Sequence, residues 1–308
     1  MSTRHFLSLV DISADEFNSI VNRAITLKRW RNEQKQHMPL KGRMLAMMFD
    51  KSSTRTRVSF ETGMTQMGGN SMFLSPRDTQ LGRGEPIEDT ARVLSRMVDA
   101  IVVRTHAHEQ VETLAAHSQV PVINALTDMY HPCQLLADIQ TWVEHRGDIA
   151  GRTAAWIGDG NNVCHSWMNA AKLLGFTLRI ATPKDYEPDP AMIAACQDHI
   201  ELTTDPQAAA EAADVIVTDT WASMGQEDEK DQRNKAFDGF IVDTALMKLA
   251  KADALFMHCL PAYRGSEVSA EVIDGPQSVV WDEAENRLHA QKALLELLLA
   301  PESFAATE

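Results

Sequence analysis

Two kinds of hydrophobic pattern alternate along the chain. A short, continuous apolar run at 44–49, bounded by Gly42 and Asp50, is typical of a strand that is buried on both faces of a parallel sheet. Before it, apolar side chains from Phe17 to Leu27 recur at helical spacing behind a capping box at 13–16, which predicts an amphipathic helix. Helical patterns separate further predicted strands at 71–74, 100–103 and 121–124.

The same alternation resumes in the second half of the chain, after a helical pattern at about 135–143. Strands are predicted at 154–157, 178–181, 215–218, 255–258 and 279–281, and a last helical pattern runs from Leu288 to Leu298. Alternating strands and helices of this kind form α/β domains with parallel sheets. We therefore predict two doubly wound parallel-sheet lobes joined by interlobe helices, with ligands at the carboxyl ends of the strands.

Composition narrows the class of protein. A length of 308 residues suits two domains, and 44% hydrophobic with 23% charged residues is typical of a globular chain. A formal net charge of -14 argues against a nucleic-acid partner, because a broad basic surface is missing. The N-terminus lacks a signal-peptide pattern and no apolar run reaches membrane-spanning length, so we expect a cytoplasmic protein. Reduced thiols are expected at the four widely spaced cysteines, Cys133, Cys164, Cys196 and Cys259.

The segment from Ser52 to Arg57 leaves the first predicted strand and enters a predicted helix marked by Phe60, Met64 and Met67. Free backbone N–H groups and the positive end of the helix dipole favour an anion at a helix start. The segment adds four hydroxyls and two arginines, whereas an ordinary helix cap needs one hydroxyl. This excess favours a phosphate site over a simple cap with solvated arginines.

Other polar groups follow further predicted strands. Arg104 ends one strand, where its guanidinium could polarise a carbonyl, and Asp219 ends another, where it could bind an ammonium group. The run 131–134, His-Pro-Cys-Gln, begins a helix, and the run 258–261, His-Cys-Leu-Pro, contains a bond that could be cis and direct carbonyls at an NH2 group. Taken singly, each also fits an ordinary reading: a solvated arginine, a helix cap, a helix start or a small buried cysteine.

The run from Gly158 to Val163 imitates the start of a dinucleotide fingerprint, which would indicate an oxidoreductase. Its third glycine is missing, since Val163 and Cys164 stand in that place. The next strand ends at 180–182 without the acidic residue that would hold a ribose. We interpret the run as a tight turn that presents Asn162, with a nicotinamide oxidoreductase as the minor alternative.

Taken in order, these segments resemble the aspartate/ornithine carbamoyltransferase family over nearly the whole chain, and within it the ornithine-using branch. The run 53–57 resembles the carbamoyl-phosphate loop of the family, and 131–134 and 259–261 resemble its two amide-orienting motifs. The resemblance implies that residues 1–132, with a C-terminal helix at about 288–308, bind carbamoyl phosphate. It further implies an ornithine-binding domain at 150–285 and an interlobe helix at 133–149.

The resemblance also assigns roles to single residues. It implies catalytic roles for Cys259, Asp219, Arg104 and His131. Carbamoyl phosphate is assigned to Ser53, Thr54, Arg55, Thr56, Gln80, Arg104, His131, Gln134, Cys259, Leu260 and Arg287. Ornithine is assigned to Asn162, Asp219, Ser223 and Met224. Gln80 matches a swinging loop near a subunit interface, so the resemblance implies a homotrimer, or a multiple of trimers, with shared sites.

The implied reaction moves a carbamoyl group from carbamoyl phosphate to the side-chain amine of L-ornithine, giving L-citrulline and phosphate in arginine metabolism, with no metal or organic cofactor. We hypothesise that Asp219 orients the amine, and that the Cys259 thiolate or the departing phosphate accepts its proton. N-acetylornithine and putrescine stay open as alternative substrates, whereas Asp219 has the wrong charge for a pocket that binds aspartate. A catalytically silent assembly subunit is a further alternative, although a silent relative would be expected to lose an arginine of the phosphate loop.

Overall fold

The computed structural model describes residues 3–75, 84–222 and 230–306. The chain divides into two compact units, which are described one after the other. Unit 1 comprises residues 1–140 and 285–308, and unit 2 comprises residues 141–284.

Unit 1 is built on a parallel four-stranded sheet. Its elements are α1 (Ala14–Asn32), β1 (Met44–Phe49), α2 (Thr54–Gln66), β2 (Asn70–Leu74), α3 (Ile87–Leu94), β3 (Ala100–Arg104), α4 (His108–His117), β4 (Val122–Leu126) and the first part of α5 (Pro132–Arg146). The strand order is β2-β1-β3-β4, with every pair parallel. The strands β1, β3 and β4 are almost wholly buried, as their continuous apolar sequences require.

Unit 2 is built on a parallel five-stranded sheet. Its elements are β5 (Thr153–Ile157), α6 (Asn162–Leu174), β6 (Thr177–Ala181), α7 (Pro190–Cys196), β7 (Ile200–Thr203), α8 (Pro206–Ala210), β8 (Val215–Thr218), α9 (Lys230–Ala236), α10 (Thr244–Met247), β9 (Leu255–His258), α11 (Ala270–Ile273) and the start of α12 (Val280–Leu299). The strand order is β7-β6-β5-β8-β9, again all parallel. The chain ends in unit 1 with the rest of α12 and with α13 (Pro301–Ala305).

The predicted α/β class with two parallel sheets is confirmed. The capping box of α1 is also present, since Ser13 accepts a hydrogen bond from the Glu16 N–H and the Glu16 carboxylate accepts one from Ser13. The unit boundaries fall inside α5 and α12, so both helices continue from one unit into the other. None of the described helices combines the length and the apolar composition that a membrane span requires.

Two elements differ from the expectation. The predicted strand at 279–281 is wrong, because α12 begins at Val280 and runs to Leu299. A short apolar run fits a buried strand and a buried helix equally well, and the acidic Asp282 and Glu283 in the first helical turn were the missed signal. The strand β7 was not predicted, since it lies at the sheet edge and its four residues are half-buried or exposed.

Candidate functional site

The loop from Ser52 to Arg57 and the residue Arg104, both singled out from the sequence, lie at the carboxyl ends of β1 and β3. These two strands are neighbours, and the order β2-β1-β3-β4 places a topological switch point between them. Phe49, the last residue of β1, pairs with Arg104, the last residue of β3. The N–H of Asp50 continues this pairing with a hydrogen bond of 2.8 Å to the Arg104 carbonyl oxygen. The loop that follows β1 therefore begins beside the backbone of Arg104.

Helix α2 starts directly at the end of this loop. Ser53 is its N-cap and accepts a hydrogen bond from the Thr56 N–H at 3.3 Å, while its own hydroxyl donates to Thr56 Oγ1 at 3.0 Å. The first turn of α2 thus presents backbone N–H groups and the positive end of its dipole beside two hydroxyl groups. This is the helix start that the sequence predicted for an anion.

Arg287 of α12 joins the same group within unit 1. Its Nη2 donates to Thr56 Oγ1 at 2.8 Å, and its Nη1 donates to Gln134 Oε1 at 3.0 Å. Gln134 donates in turn to Asp138 Oδ1 at 2.8 Å. Arg287, Thr56 and Gln134 are all buried, so each side chain is held in one orientation by its partners.

His131, which precedes α5, completes this cluster of buried polar groups. Burial lowers the pKa of its imidazole well below the ordinary value, and the positive charges of Arg287, Arg104 and Arg55 lower it further. The imidazole is therefore neutral at neutral pH and can donate one ring N–H to an oxygen atom. Three guanidinium groups close enough to act on a neutral imidazole suit a ligand with a phosphate and a carbonyl oxygen.

Cys133, the neighbour of His131, is not part of the chemistry. Burial raises the pKa of its thiol to about 12, and the S–H donates to the Asn124 carbonyl oxygen at 3.4 Å. The thiol therefore stays protonated and serves as a small buried group.

In unit 2, the corresponding polar groups follow β5, β8 and β9. The order β7-β6-β5-β8-β9 places a switch point between β5 and β8. Asn161 follows β5, Asp219 follows β8, and Cys259 follows β9. Three loops that are far apart in sequence are thereby brought to one edge of the sheet.

Asp219 is the centre of this group, and three donors hold its carboxylate. The Asn161 side chain donates to Oδ2 at 2.8 Å, while the Thr220 N–H and the Cys259 thiol donate to Oδ1 at 2.7 Å and 3.2 Å. Asn161 itself is fixed as the N-cap of α6, because its Oδ1 accepts from Val163 and Cys164. The result is a buried carboxylate with a set orientation.

The turn after β9 is shaped by a buried histidine. His258 Nδ1 accepts a hydrogen bond from the Leu260 N–H at 2.9 Å, and its Nε2 lies 3.2 Å from Glu267 Oε1. The Leu260-Pro261 bond is cis, as the sequence suggested, and Leu260 has a φ of +58°. Because Nδ1 accepts, the ring proton of a neutral His258 is on Nε2, facing the carboxylate.

The two glycines of the 158–163 run allow a close backbone contact and an unusual backbone conformation. A Cβ on Gly160 would lie 2.2 Å from the Pro188 backbone nitrogen and 2.4 Å from the Glu187 carbonyl carbon, so the chain itself fills the space above this glycine. Gly158 has a φ of +148°, a conformation that other residues rarely adopt. This geometry explains the run without a pyrophosphate and argues against the dinucleotide alternative.

A metal ion could in principle be held in unit 2. Ligand atoms of Asp219, His258 and Cys259 all lie within 4.8 Å of one another. Hydrogen bonds give these groups other partners, however: the thiol donates to Asp219, and His258 is held between Leu260 and Glu267. The arrangement is explained by hydrogen bonding within the chain.

The structure brings most of the sequence-predicted residues together within their own units. Unit 1 holds Ser53, Thr54, Arg55, Thr56, Arg104, His131, Gln134 and Arg287, and unit 2 holds Asn162, Asp219, Cys259 and Leu260. Gln80, Ser223 and Met224 lie outside the described residues. Sequence reasoning missed Asn161 and Glu267, which orient Asp219 and His258; an asparagine directly before a helix was the available signal for the first.

Comparisons with known proteins agree with this geometry. The family model described as aspartate/ornithine carbamoyltransferase, carbamoyl-P binding domain, matches residues 4–144, and its Asp/Orn binding domain matches residues 150–298. An ornithine carbamoyltransferase of Nitrosococcus oceani is 64% identical over 97% of this chain and 98% of that relative. One of Hydrogenovibrio crunogenus is 63% identical over 97% and 99%.

Solved structures show the same similarity in three dimensions. The ornithine carbamoyltransferase of Pyrococcus furiosus superimposes with a TM-score of 0.92 at 52% identity, covering 97% of each chain. That of Burkholderia thailandensis gives a TM-score of 0.90 at 51% identity, covering 96% of this chain and 99% of the other. With both domain models matched in order and relatives of this identity along nearly its full length, the chain belongs to the aspartate/ornithine carbamoyltransferase family.

Proposed function

We propose that the protein is an ornithine carbamoyltransferase, which transfers the carbamoyl group of carbamoyl phosphate to the side-chain amine of L-ornithine and releases L-citrulline and phosphate. The observation that carries the choice of substrate is Asp219, a buried carboxylate held at the switch point of unit 2. A carboxylate there suits an ammonium group, whereas an aspartate substrate would need a cation. The names of the relatives support the same reaction.

The phosphate end of carbamoyl phosphate is assigned to the start of α2. Ser53, Thr54 and Thr56 supply hydroxyl and backbone N–H donors, and Arg55 and Arg287 supply charge. A phosphate accepts several charge-assisted hydrogen bonds at once, which suits this set of donors. Gln80, outside the described residues, is proposed as a further phosphate contact.

The carbonyl oxygen of the carbamoyl group is assigned to Arg104, His131 and Thr56. As the amine attacks, negative charge develops on this oxygen, and preorganised donors stabilise that charge without reorganising. Because the imidazole of His131 is neutral, it acts as a hydrogen-bond donor rather than as a cation. Removing one such donor typically lowers kcat by about 100- to 1000-fold.

The carbamoyl NH2 group is assigned to Gln134 and to the backbone carbonyls of Cys259 and Leu260. Arg287 and Asp138 fix the orientation of the Gln134 amide. The buried His258 holds the Leu260 N–H, so the carbonyls of this turn have a set direction. Positioning of this kind reduces the entropy cost of bringing the reacting atoms together.

Ornithine is assigned to Asp219 and Asn162, with Ser223 and Met224 proposed from the part of the chain outside the described residues. A carboxylate offers about four lone-pair positions, and three donors of the protein already use the Asp219 oxygens. One position is left for an N–H of the side-chain amine.

The amine must lose a proton before it attacks, because the pKa of such an amine is about 10.4 in water. We propose that Asp219 orients it while the departing phosphate accepts the proton, or the Cys259 sulfur does so as a thiolate, which requires that Cys259 first give up the S–H proton it donates to Asp219. The amine nitrogen then bonds to the carbamoyl carbon, the bond from that carbon to the phosphate oxygen breaks, and phosphate leaves with the electron pair. All groups needed for these steps belong to the chain or the substrates.

The test is a citrulline assay of the purified protein with carbamoyl phosphate and, in turn, ornithine, N-acetylornithine, putrescine and aspartate. We expect turnover with ornithine only. Absence of turnover with ornithine would refute the proposal. Preference for another of these substrates would indicate that the protein belongs to the branch of the family that uses it. D219N is expected to lower kcat/KM for ornithine, with D243N at a helix cap of the same unit as the matched control.

The role of Cys259 has its own test, C259S. The serine hydroxyl can still donate to Asp219 but is a poor proton acceptor, so we expect kcat to fall and the pH profile to change. Full turnover with an unchanged profile would leave the departing phosphate as the acceptor.

We also propose a cytoplasmic homotrimer, or a multiple of trimers. The four free cysteines support a reducing compartment. An association surface is supported by large apolar side chains exposed on and beside α2, β2 and α3, namely Val58, Met72, Val93 and Met97. Light scattering tests the assembly, since a fully active monomer would contradict it.

A further inference from the structure

A polar pocket lies within unit 1 away from the loop at Ser53–Thr56, and the proposed reaction uses none of its residues. Its volume is about 300 Å³, and it is lined by the ends of α1 and α2, the segment after α1, and one residue of α12. Four lining side chains are basic: Arg31, Lys35, His37 and Lys292. No aspartate or glutamate is among the described residues that line it. In a chain with a net charge of -14, this is a local concentration of positive charge.

The ammonium of Lys292 is buried in this pocket and has no ion-pair partner among the described residues. The residue is 5% exposed, and its Nζ donates to Gln66 Oε1 at 3.1 Å. Among residues 3–75, 84–222 and 230–306, no carboxylate forms an ion pair with it. Burial and the nearby Arg31 lower the pKa of this amine to about 8. A buried charge normally has an ionic partner, since its desolvation is costly.

The carboxylates near Lys292 are engaged elsewhere. The charge of Glu296 raises the pKa of Lys292, but its two oxygens bind Arg23, His37 and Ser303 at 2.7 to 2.9 Å. Glu285, on the same side of α12, pairs with Arg31 at 3.3 Å. These ion pairs also compensate Arg31 and His37, so among the described residues it is the charge of Lys292 that the pocket leaves without an ion pair.

Local packing gives Lys292 its place. Gly63 of α2 has no side chain, and a Cβ there would lie 3.2 Å from Lys292 Cγ, so the glycine leaves room for the lysine stem to cross the helix. On the other side, Lys35 Nζ lies 4.1 Å from the centre of the Trp30 ring. Gln34, Gln36 and Gln66 add amide N–H donors to the lining.

We propose that this pocket binds a small dianion of the phosphate class, either inorganic phosphate or a phosphomonoester group, with Lys292 as its central ligand. The anion supplies the missing countercharge and accepts from the surrounding donors. The site is separate from the loop at Thr56, because Gln66 lies ten residues further along α2, or about 15 Å. The inference does not depend on the proposed reaction, since the two sites share no residue.

The test follows the Lys292 amine itself. Expression with ¹³C-lysine labels every lysine side chain without any need for exposure, and the Lys292 signal is the one that disappears in K292Q. We expect inorganic phosphate or O-phosphoserine to raise the pKa of this amine by at least about one unit, which corresponds to a tenfold preference of the anion for the charged form. Comparing the two probes shows whether the ester is preferred.

Controls separate this site from phosphate bound elsewhere. The signal of Lys248, exposed in unit 2, is expected not to respond, and K248Q is expected to leave the Lys292 response intact. Chloride at matched ionic strength is expected to have no comparable effect. An unchanged Lys292 signal at saturating phosphate, or an equal response to chloride, would overturn the proposal. Crystals soaked in tungstate give an independent check, since anomalous density at Lys292 is expected and density only at Ser53–Thr56 would contradict the inference.

Discussion

The buried histidine on α12, His289, allows a quantitative prediction about acid stability. Its side chain is fully buried in unit 1, its Nδ1 has no hydrogen-bond partner among the described residues, and its Nε2 lies 3.4 Å from Glu285 Oε1. Burial and the charges of Lys292, Lys28 and Arg31 lower the pKa of the imidazole to about 3. The native state therefore holds this ring neutral across the physiological range.

The sign of the effect follows from the two states. In the unfolded chain the ring protonates near pH 6.5, so between pH 6.5 and about 3 the unfolded state binds more protons. The lowered pKa of His289 therefore adds nothing unfavourable above pH 6.5, where the ring is neutral in both states. Below pH 6.5 the free energy of unfolding falls, because the unfolded state gains a proton that the native state does not. At about pH 5 the loss is about 2 kcal/mol, because each pH unit corresponds to about 1.4 kcal/mol.

The perturbation is H289Q, which replaces the imidazole by a side chain that does not titrate. Urea unfolding is measured at about pH 7.5 and about pH 5, and each protein serves as its own reference. The unmodified chain is expected to lose about 2 kcal/mol more than H289Q over this interval. H106Q, at an exposed histidine, is expected to follow the unmodified chain. Equal losses in H289Q and the unmodified chain would refute the reasoning.

Three further outcomes are expected. G160A should destabilise the protein by about 3 kcal/mol or more in thermal unfolding, because the added Cβ meets backbone atoms. In G151A the Cβ meets open space, so the loss should be only the left-handed strain of about 1–2 kcal/mol, and equal losses in the two variants would contradict this. Cys133 should resist iodoacetamide in the native protein and react after unfolding, because burial raises its thiol pKa to about 12. Mass spectrometry reads the labelling, and rapid labelling of the native protein would contradict a buried, protonated thiol. R287K should lower kcat/KM for carbamoyl phosphate by at least about tenfold, because a lysine cannot replace both hydrogen bonds of the guanidinium. R264K, at an exposed ion pair, is the control. An unchanged kcat/KM in R287K would argue against a role of Arg287 at the phosphate.

The helix start at Ser53 shows how far local sequence reaches. Its hydroxyls, arginines and following helical pattern predict an anion site, and the structure places the cap and first turn as expected. The partners of Thr56 and Gln134 were not derivable from the local pattern, because Arg287 lies more than 150 residues away in sequence. The resemblance to a family supplied that residue, not its hydrogen bonds.

For Asp219, the tertiary structure decided more than the local sequence did. The sequence placed a carboxylate at a strand end, which fits a helix cap and a binding site equally well. The strand order β7-β6-β5-β8-β9 brings the loops after β5 and β9 to it, and only then do Asn161 and Cys259 become its donors. Strand order depends on crossover connections, which hydrophobic periodicity does not reveal.

By itself, the sequence determined the α/β class, most of the strands and the residues to examine, because burial on both faces of a parallel sheet and helix capping leave local signals. Only the tertiary structure decided which of those residues meet. It showed that the Glu187-Pro188 backbone, not a nucleotide, fills the space beside Gly160, and that no carboxylate of the described residues forms an ion pair with the buried Lys292. Both facts depend on segments distant in sequence, and contacts of that kind leave no periodic trace along the chain.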